Sequence, residues 1–145
     1  MSYDMPIAVV PEFRVLYEDD GVLVVDKAAP LLTHPTGEKN EPTLWHGLHE
    51  LLAFEVATGG QVSLINRLDR ETSGVLVFAK SPELQEYMRT YWRQLVTKRT
   101  YVALVEGLFE KKEGTITTWL TEDPHTGMVY SSPKDDGGQK AVTHY

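Results

Sequence analysis

Two apolar runs too short to be helices, residues 62–65 (Val-Ser-Leu-Ile) and 74–79 (Gly-Val-Leu-Val-Phe-Ala), are separated by Asn66-Arg67-Leu68-Asp69-Arg70-Glu71-Thr72-Ser73. A run of four to six mostly apolar residues closed by polar punctuation is the pattern of a buried strand. The pair predicts two strands joined by a short charged loop. Loops held by rigid strands are where catalytic groups concentrate, so Asp69 is a candidate functional carboxylate. Arg67 and Arg70 flank it in sequence. A guanidinium nearby would favour the ionised, nucleophilic form of the acid. Thr72 and Ser73 offer hydroxyls to hold the loop. Spacing alone favours a plainer reading, a surface turn with ordinary ion pairs, because Asp–Arg neighbours are common and weak.

The flanking segments point to an α+β chain. Residues 13–17 and 22–26 read as strands around the turn Glu18-Asp19-Asp20-Gly21, whose Asp-Gly pair is a hairpin signal. Residues 28–42, with Pro30, Pro35 and Pro42, read as a loop. Apolar residues at Leu44, Leu48, Leu51 and Leu52 predict a helix over 44–56. Ser81-Pro82-Glu83 predicts a second helix start: a capping hydroxyl, proline in the first turn, and an acid at the positive dipole end. Its stripe of Leu84, Tyr87, Met88, Tyr91, Trp92 and Leu95 has ordinary amphipathic spacing and reads as core. Strands are predicted at 99–106, 115–120 and 128–132, the last two joined through Pro124 and Gly127. Residues 141–145 read as the start of another strand, with an exposed edge. The architecture expected is a mixed, mostly antiparallel sheet with two main helices.

Composition narrows the chemistry. The chain has 145 residues, one ordinary domain by length, and no cysteine, so disulfides and thiolate catalysis are excluded. No apolar run is long enough to span a membrane, and residues 1–10 lack a secretory pattern; a cytoplasmic location is expected. The net charge is −7, yet residues 66–101 carry seven bases against four acids. That window is +3 and leaves −10 elsewhere. An acidic body with one basic segment suits local binding of a polyanion. His46 and His49 sit three apart on the first helix without a third ligand at familiar spacing, so no metal site is expected.

Three blocks resemble the RluA type of RNA pseudouridine synthase. Residues 66–76 resemble the catalytic signature His-Arg-Leu-Asp-x-x-Thr-Ser-Gly. Residues 15–27, followed by His34-Pro35, resemble the opening hairpin and its Lys-Pro-x-Gly element. Residues 98–107 resemble the block Lys-x-Tyr-x-Ala-x-Val-x-Gly. The blocks occur in the family's order and cover residues 13–107.

The resemblance implies a pseudouridine-synthase-like catalytic domain over residues 1–145, acting on rRNA or tRNA without metal, nucleotide or redox cofactor. Asp69 would be the nucleophile, attacking the sugar's anomeric carbon or the base, or else abstracting a sugar proton. Tyr101 would stack on the uracil and converge on Asp69 in one cleft. Arg67 would enter the RNA and hold a flipped-out nucleotide, with Asn66, Thr72 and Ser73 as further substrate-binding positions.

The sequence departs from the pattern at Asn66, where the family has histidine, and at Ala28 and Pro30, where it has proline and glycine. A later family block, Gly-Arg-x-His-Gln-Ile/Leu-Arg, has no counterpart before Tyr145. The resemblance therefore implies the N-terminal part of a catalytic domain. Two alternatives stay open. One is a catalytically incomplete fragment that binds RNA or protein. The other is a glycoside-type hydrolase using Asp69 with a second acid.

Overall fold

A computed structural model describes residues 12–36 and 41–145. Residues 1–10, read as lacking a secretory pattern, and residues 37–40 of the proline-rich loop lie outside that description. The chain divides into two compact units, Met1–Arg99 and Thr100–Tyr145.

The first unit contains a four-stranded sheet in the order β1-β2-β4-β3, with β1 Phe13–Glu18, β2 Val22–Lys27, β3 Ser63–Leu64 and β4 Gly74–Ala79. All three ladders are antiparallel. The β1–β2 turn forms as the Asp-Gly pair predicts. Asp19 Oδ1 accepts from the backbone N–H groups of Gly21 at 2.8 Å and Val22 at 2.7 Å, which closes the reversal. Strand alternation then sorts β2. Leu23, Val25 and Lys27 are buried, and Val22, Val24 and Asp26 are half-buried. Leu76 and Phe78 of β4 join Leu23 and Val25 in one apolar cluster.

Two helices flank this sheet in sequence, with a short third. Thr43 caps α1 (Leu44–Leu51), its hydroxyl accepting from the His46 N–H at 3.2 Å. Leu44, Leu48 and Leu52 are buried, whereas Leu51 is half exposed. The helix expected over 44–56 is not one cylinder. Leu52 leaves helical dihedrals (φ −103°, ψ 27°) while its side chain stays in the core, and α2 (Ala53–Ala57) continues beyond it. The Val56 N–H still reaches the Leu52 carbonyl at 3.0 Å, so the change is a kink between two helices.

Ser81 caps α3 (Pro82–Leu95) as expected, accepting from the Leu84 N–H at 3.2 Å. Its aromatic stripe, however, is not core. No residue of α3 is buried. Leu84, Met88 and Trp92 are half-buried, while Tyr87, Tyr91 and Leu95 are open. The six-residue stripe is wider than the face this unit covers. Tyr87 and Tyr91 pack on each other instead, with ring centroids 5.0 Å apart.

The second unit is a separate antiparallel sheet in the order β6-β5-β7, with β5 Thr115–Glu122, β6 Val129–Ser132 and β7 Gln139–His144. Asp123 builds the β5–β6 turn by accepting from the N–H groups of His125 and Thr126, and Gly127 takes positive φ within it. β7 lies at one edge of this sheet, as expected for residues 141–145. The strand expected over 99–106 is absent. Its apolar residues Val102 and Leu104 are fully exposed, and no ladder pairs this segment among the described residues. β propensity alone does not make a strand, which needs a neighbouring strand in register. The fold is α+β with antiparallel strands and few helices, as expected, and the described residues arrange those strands in two sheets, of four and three strands.

Candidate active site

The loop between β3 and β4 begins where pairing fades. The Ile65 N–H still reaches the Val77 carbonyl at 3.3 Å, and Asn66 Oδ1 accepts from the Val77 N–H at 3.3 Å. The amide that stands in place of a histidine thus serves the sheet. Leu68 turns inward and is buried, which leaves Arg67 and Asp69 exposed on either side of it. The Thr72 N–H donates to the Asp69 carbonyl at 3.1 Å, forming a turn. Gly74 ends the loop at φ 135°, a backbone conformation open to glycine and strained for other residues.

The two carbonyls that bracket Asp69 are anchored from inside the unit. Thr33 Oγ1 donates to the Leu68 carbonyl at 2.6 Å, and both groups are buried. The Arg70 carbonyl accepts from the Leu31 N–H at 3.0 Å and from Lys27 Nζ at 3.3 Å. The same ammonium donates to the carbonyls of Leu31 at 2.6 Å and Ala28 at 3.0 Å. Lys27 has no exposed surface. A buried charge needs such partners, and these three carbonyls tie the proline-rich loop to the Asp69 loop. Burial pushes the Lys27 ammonium below the usual lysine range, and the charges of Glu71 and Asp69 work in the opposite direction.

Asp69 opens into a cavity of about 760 Å3 whose lining includes Thr33, His34, Trp45, Arg67, Arg70 and Arg89. The volume falls within the range of about 300–1,000 Å3 usual for ligand sites. Among the described residues no ion pair or hydrogen bond engages the Asp69 carboxylate. The flanking arginines do not neutralise it as proximity in sequence suggests: Arg70 pairs with Glu41 at 3.2 Å and Glu71 at 3.6 Å. Neighbours in an extended loop point apart, so adjacency in sequence gives no contact. No described ion pair holds Arg67 or Arg89.

Of the expected site residues, Asp69 and Arg67 share this cavity, while Asn66, Thr72 and Ser73 are not in its lining. Tyr101 belongs to the second unit, where its side chain is 56 % exposed. His46 and His49 bond within their own helix turn, Nδ1 of His46 with Thr43 Oγ1 at 2.9 Å and Nδ1 of His49 with the Trp45 carbonyl at 2.8 Å. Sequence reasoning missed Lys27, Thr33, Trp45 and the placing of Arg89 in the cavity. The Lys27 signal was present, since its alternation with Leu23 and Val25 puts it on the inner face of β2.

Residues 21–145 match the family model described as RNA pseudouridylate synthase. The chain belongs to this family. It is 34 % identical over 145 residues to the RNA pseudouridine synthase YhcT of Bacillus subtilis (strain 168), covering 95 % of this chain and 46 % of that protein. It is 36 % identical over 143 residues to ribosomal large subunit pseudouridine synthase D of Neisseria meningitidis serogroup B (strain ATCC BAA-335 / MC58), covering 95 % and 37 %. The chain thus spans less than half the length of these relatives. Among solved structures it resembles human RNA pseudouridylate synthase domain containing 1, with a TM-score of 0.66 at 16 % identity over 97 % of this chain and 54 % of that one. That likeness concerns the fold. Membership in the RNA pseudouridylate synthase family rests on the sequence matches. No described helix is long and apolar enough to cross a membrane.

Proposed function

We propose that this chain is the N-terminal portion of the catalytic domain of a cytoplasmic enzyme that isomerises uridine to pseudouridine in rRNA or tRNA, with Asp69 as nucleophile. The observation that carries the proposal is the exposed Asp69 carboxylate, set in an arginine-lined cavity with both bracketing carbonyls anchored. In this reading the carboxylate attacks the target nucleotide and forms a carbon–oxygen bond to it, and the glycosidic carbon–nitrogen bond breaks. The uracil turns to rejoin the sugar through carbon 5 while the bond to Asp69 breaks and frees the carboxylate. The proton lost from carbon 5 is balanced by one gained at nitrogen, so mass is unchanged and no cofactor takes part. Arg67 holds the flipped nucleotide and Tyr101 stacks on the uracil and assists removal of the carbon-5 proton. Asn66, Thr72 and Ser73 act on substrate through the shape of the loop.

The test is Asp69→Asn in the full-length protein. The amide keeps the shape and is a poor nucleophile. Pseudouridine formation, detected by carbodiimide labelling, should vanish while filter-binding affinity for the RNA persists. Wild-type turnover in the variant would remove Asp69 from the role of nucleophile. RNA binding by the wild type without any turnover would instead favour an RNA-binding protein. Release of free uracil would mark a hydrolase.

A further inference from the structure

The Asp69 cavity has an aromatic wall that the chemistry above leaves unused. Trp45, the second residue of α1, is half-buried, and exposed His34 stands against it with ring centroids 5.7 Å apart in an edge-on arrangement. Both rings line the cavity with Asp69, Arg67 and Arg89. His49 braces the indole from within the helix at a centroid distance of 3.7 Å. The wall is also registered to the catalytic loop through one residue. The Thr33 carbonyl accepts from the backbone N–H of Trp45 at 3.1 Å, while the Thr33 hydroxyl donates to the Leu68 carbonyl at 2.6 Å. A large indole kept partly open inside a cavity lined by guanidinium groups combines the two features that single-stranded nucleic-acid sites use, an aromatic platform and cations for the phosphates.

We propose that Trp45 and His34 form a second nucleobase subsite of this cavity, which takes the base of a nucleotide flanking the reacting uridine by stacking. The subsite rests on the reading of this cavity as an RNA site, and it adds a recognition element beside the nucleophile. Arg67 and Arg89 supply the phosphate contacts. Stacking is tolerant of base identity, so the subsite reads whether a base is present and unpaired.

The test uses the full 145-residue chain and two probes: a six-nucleotide oligouridylate, and the same oligomer with abasic riboses on both sides of one uridine. Wild type should bind the complete oligomer roughly tenfold more tightly than the abasic one, the scale expected for loss of a base–aromatic stack. Trp45→Ala should lose that preference and keep the salt-dependent binding common to both probes, while Trp45→Phe should retain most of it. Trp45→Ala that is folded by circular dichroism and keeps the full preference overturns the subsite and leaves the RNA site standing. If Trp45→Ala does not fold, a Trp92→Phe, Trp119→Phe background leaves Trp45 as the only tryptophan. Its emission should then be quenched by the complete oligomer and not by the abasic one, and equal responses overturn the subsite. Absence of binding to either probe by wild type at low salt overturns both the subsite and the RNA reading.

Discussion

The hydroxyl of Thr33 donates a 2.6 Å hydrogen bond to the backbone carbonyl of Leu68, the residue before Asp69. Thr33 is 35 positions away in sequence and almost fully buried. The role of nucleophile proposed for Asp69 requires its carboxylate to be held within a fraction of an ångström of its working position, and a peptide anchored on both sides of it serves that. Thr33→Val keeps the shape and leaves the Leu68 carbonyl buried without its donor, at a cost of about 1–3 kcal/mol. Urea midpoints of the 145-residue chain should fall accordingly, with Thr33→Ser restoring most of the loss. In the full-length enzyme, kcat should fall more than KM rises. An unchanged midpoint for Thr33→Val would contradict the anchoring role.

Lys27 is the second anchor. Lys27→Met removes the donor to three backbone carbonyls and should destabilise the chain by about 2 kcal/mol or more at neutral pH. The pH dependence has a definite sign. Burial lowers the folded-state pKa, so the native chain binds fewer protons than the unfolded chain between that value and the ordinary 10.5. Stability of wild type relative to Lys27→Met should therefore rise as pH climbs through this alkaline window. Paired urea titrations from neutrality to pH 10 check it, and a falling difference would show that the charged form is the one the fold favours.

At the first hairpin, backbone bonds from Val22 and Gly21 and the Tyr17 hydroxyl hold the Asp19 carboxyl below the usual carboxylate range, the Val22 bond contributing most. A depressed carboxyl pKa stabilises the fold above the unfolded value of 3.8, and that contribution is lost as pH falls through the folded value. The advantage of wild type over Asp19→Ala should be level near neutrality and shrink below about pH 4. Thermal melts of both proteins from pH 7 to pH 2.5 measure this, and an advantage that persists at the acid end would refute it.

Arg67 and Arg89 stand in the cavity without a described ionic partner, as phosphate-binding cations would. Each alanine substitution should weaken RNA binding at low salt and reduce the slope of log affinity against log salt by about 0.7, the single-strand value per phosphate neutralised. Filter binding across a salt series gives the slope directly. Arg70, already paired with Glu41 and Glu71, should change it less. Equal slopes for wild type and both variants would place phosphate recognition elsewhere.

Local chemistry was readable from the amino acids alone wherever partners lie close in sequence. The turn at Asp19, the Ser81 cap and the loop carrying Asp69 each follow from residues a few positions apart, and the three family blocks named the class. Residues 99–106 have the composition of a strand but lack a ladder, because pairing depends on a neighbour that propensity does not supply. The α3 stripe has core spacing, but among the described residues no element is wide enough to cover Tyr87, Tyr91 and Leu95. Arg70 adjoins Asp69 in sequence and pairs with Glu41 instead, since side-chain direction in a loop is set by the surrounding packing. Tertiary structure alone brought Lys27, Thr33, Trp45 and Arg89 to the Asp69 loop. Those meetings span 20 to 42 positions, and only the packing of β2, α1 and β4 around one apolar cluster, with α3 set against β3 and β4, brings such distant residues to one loop and its cavity.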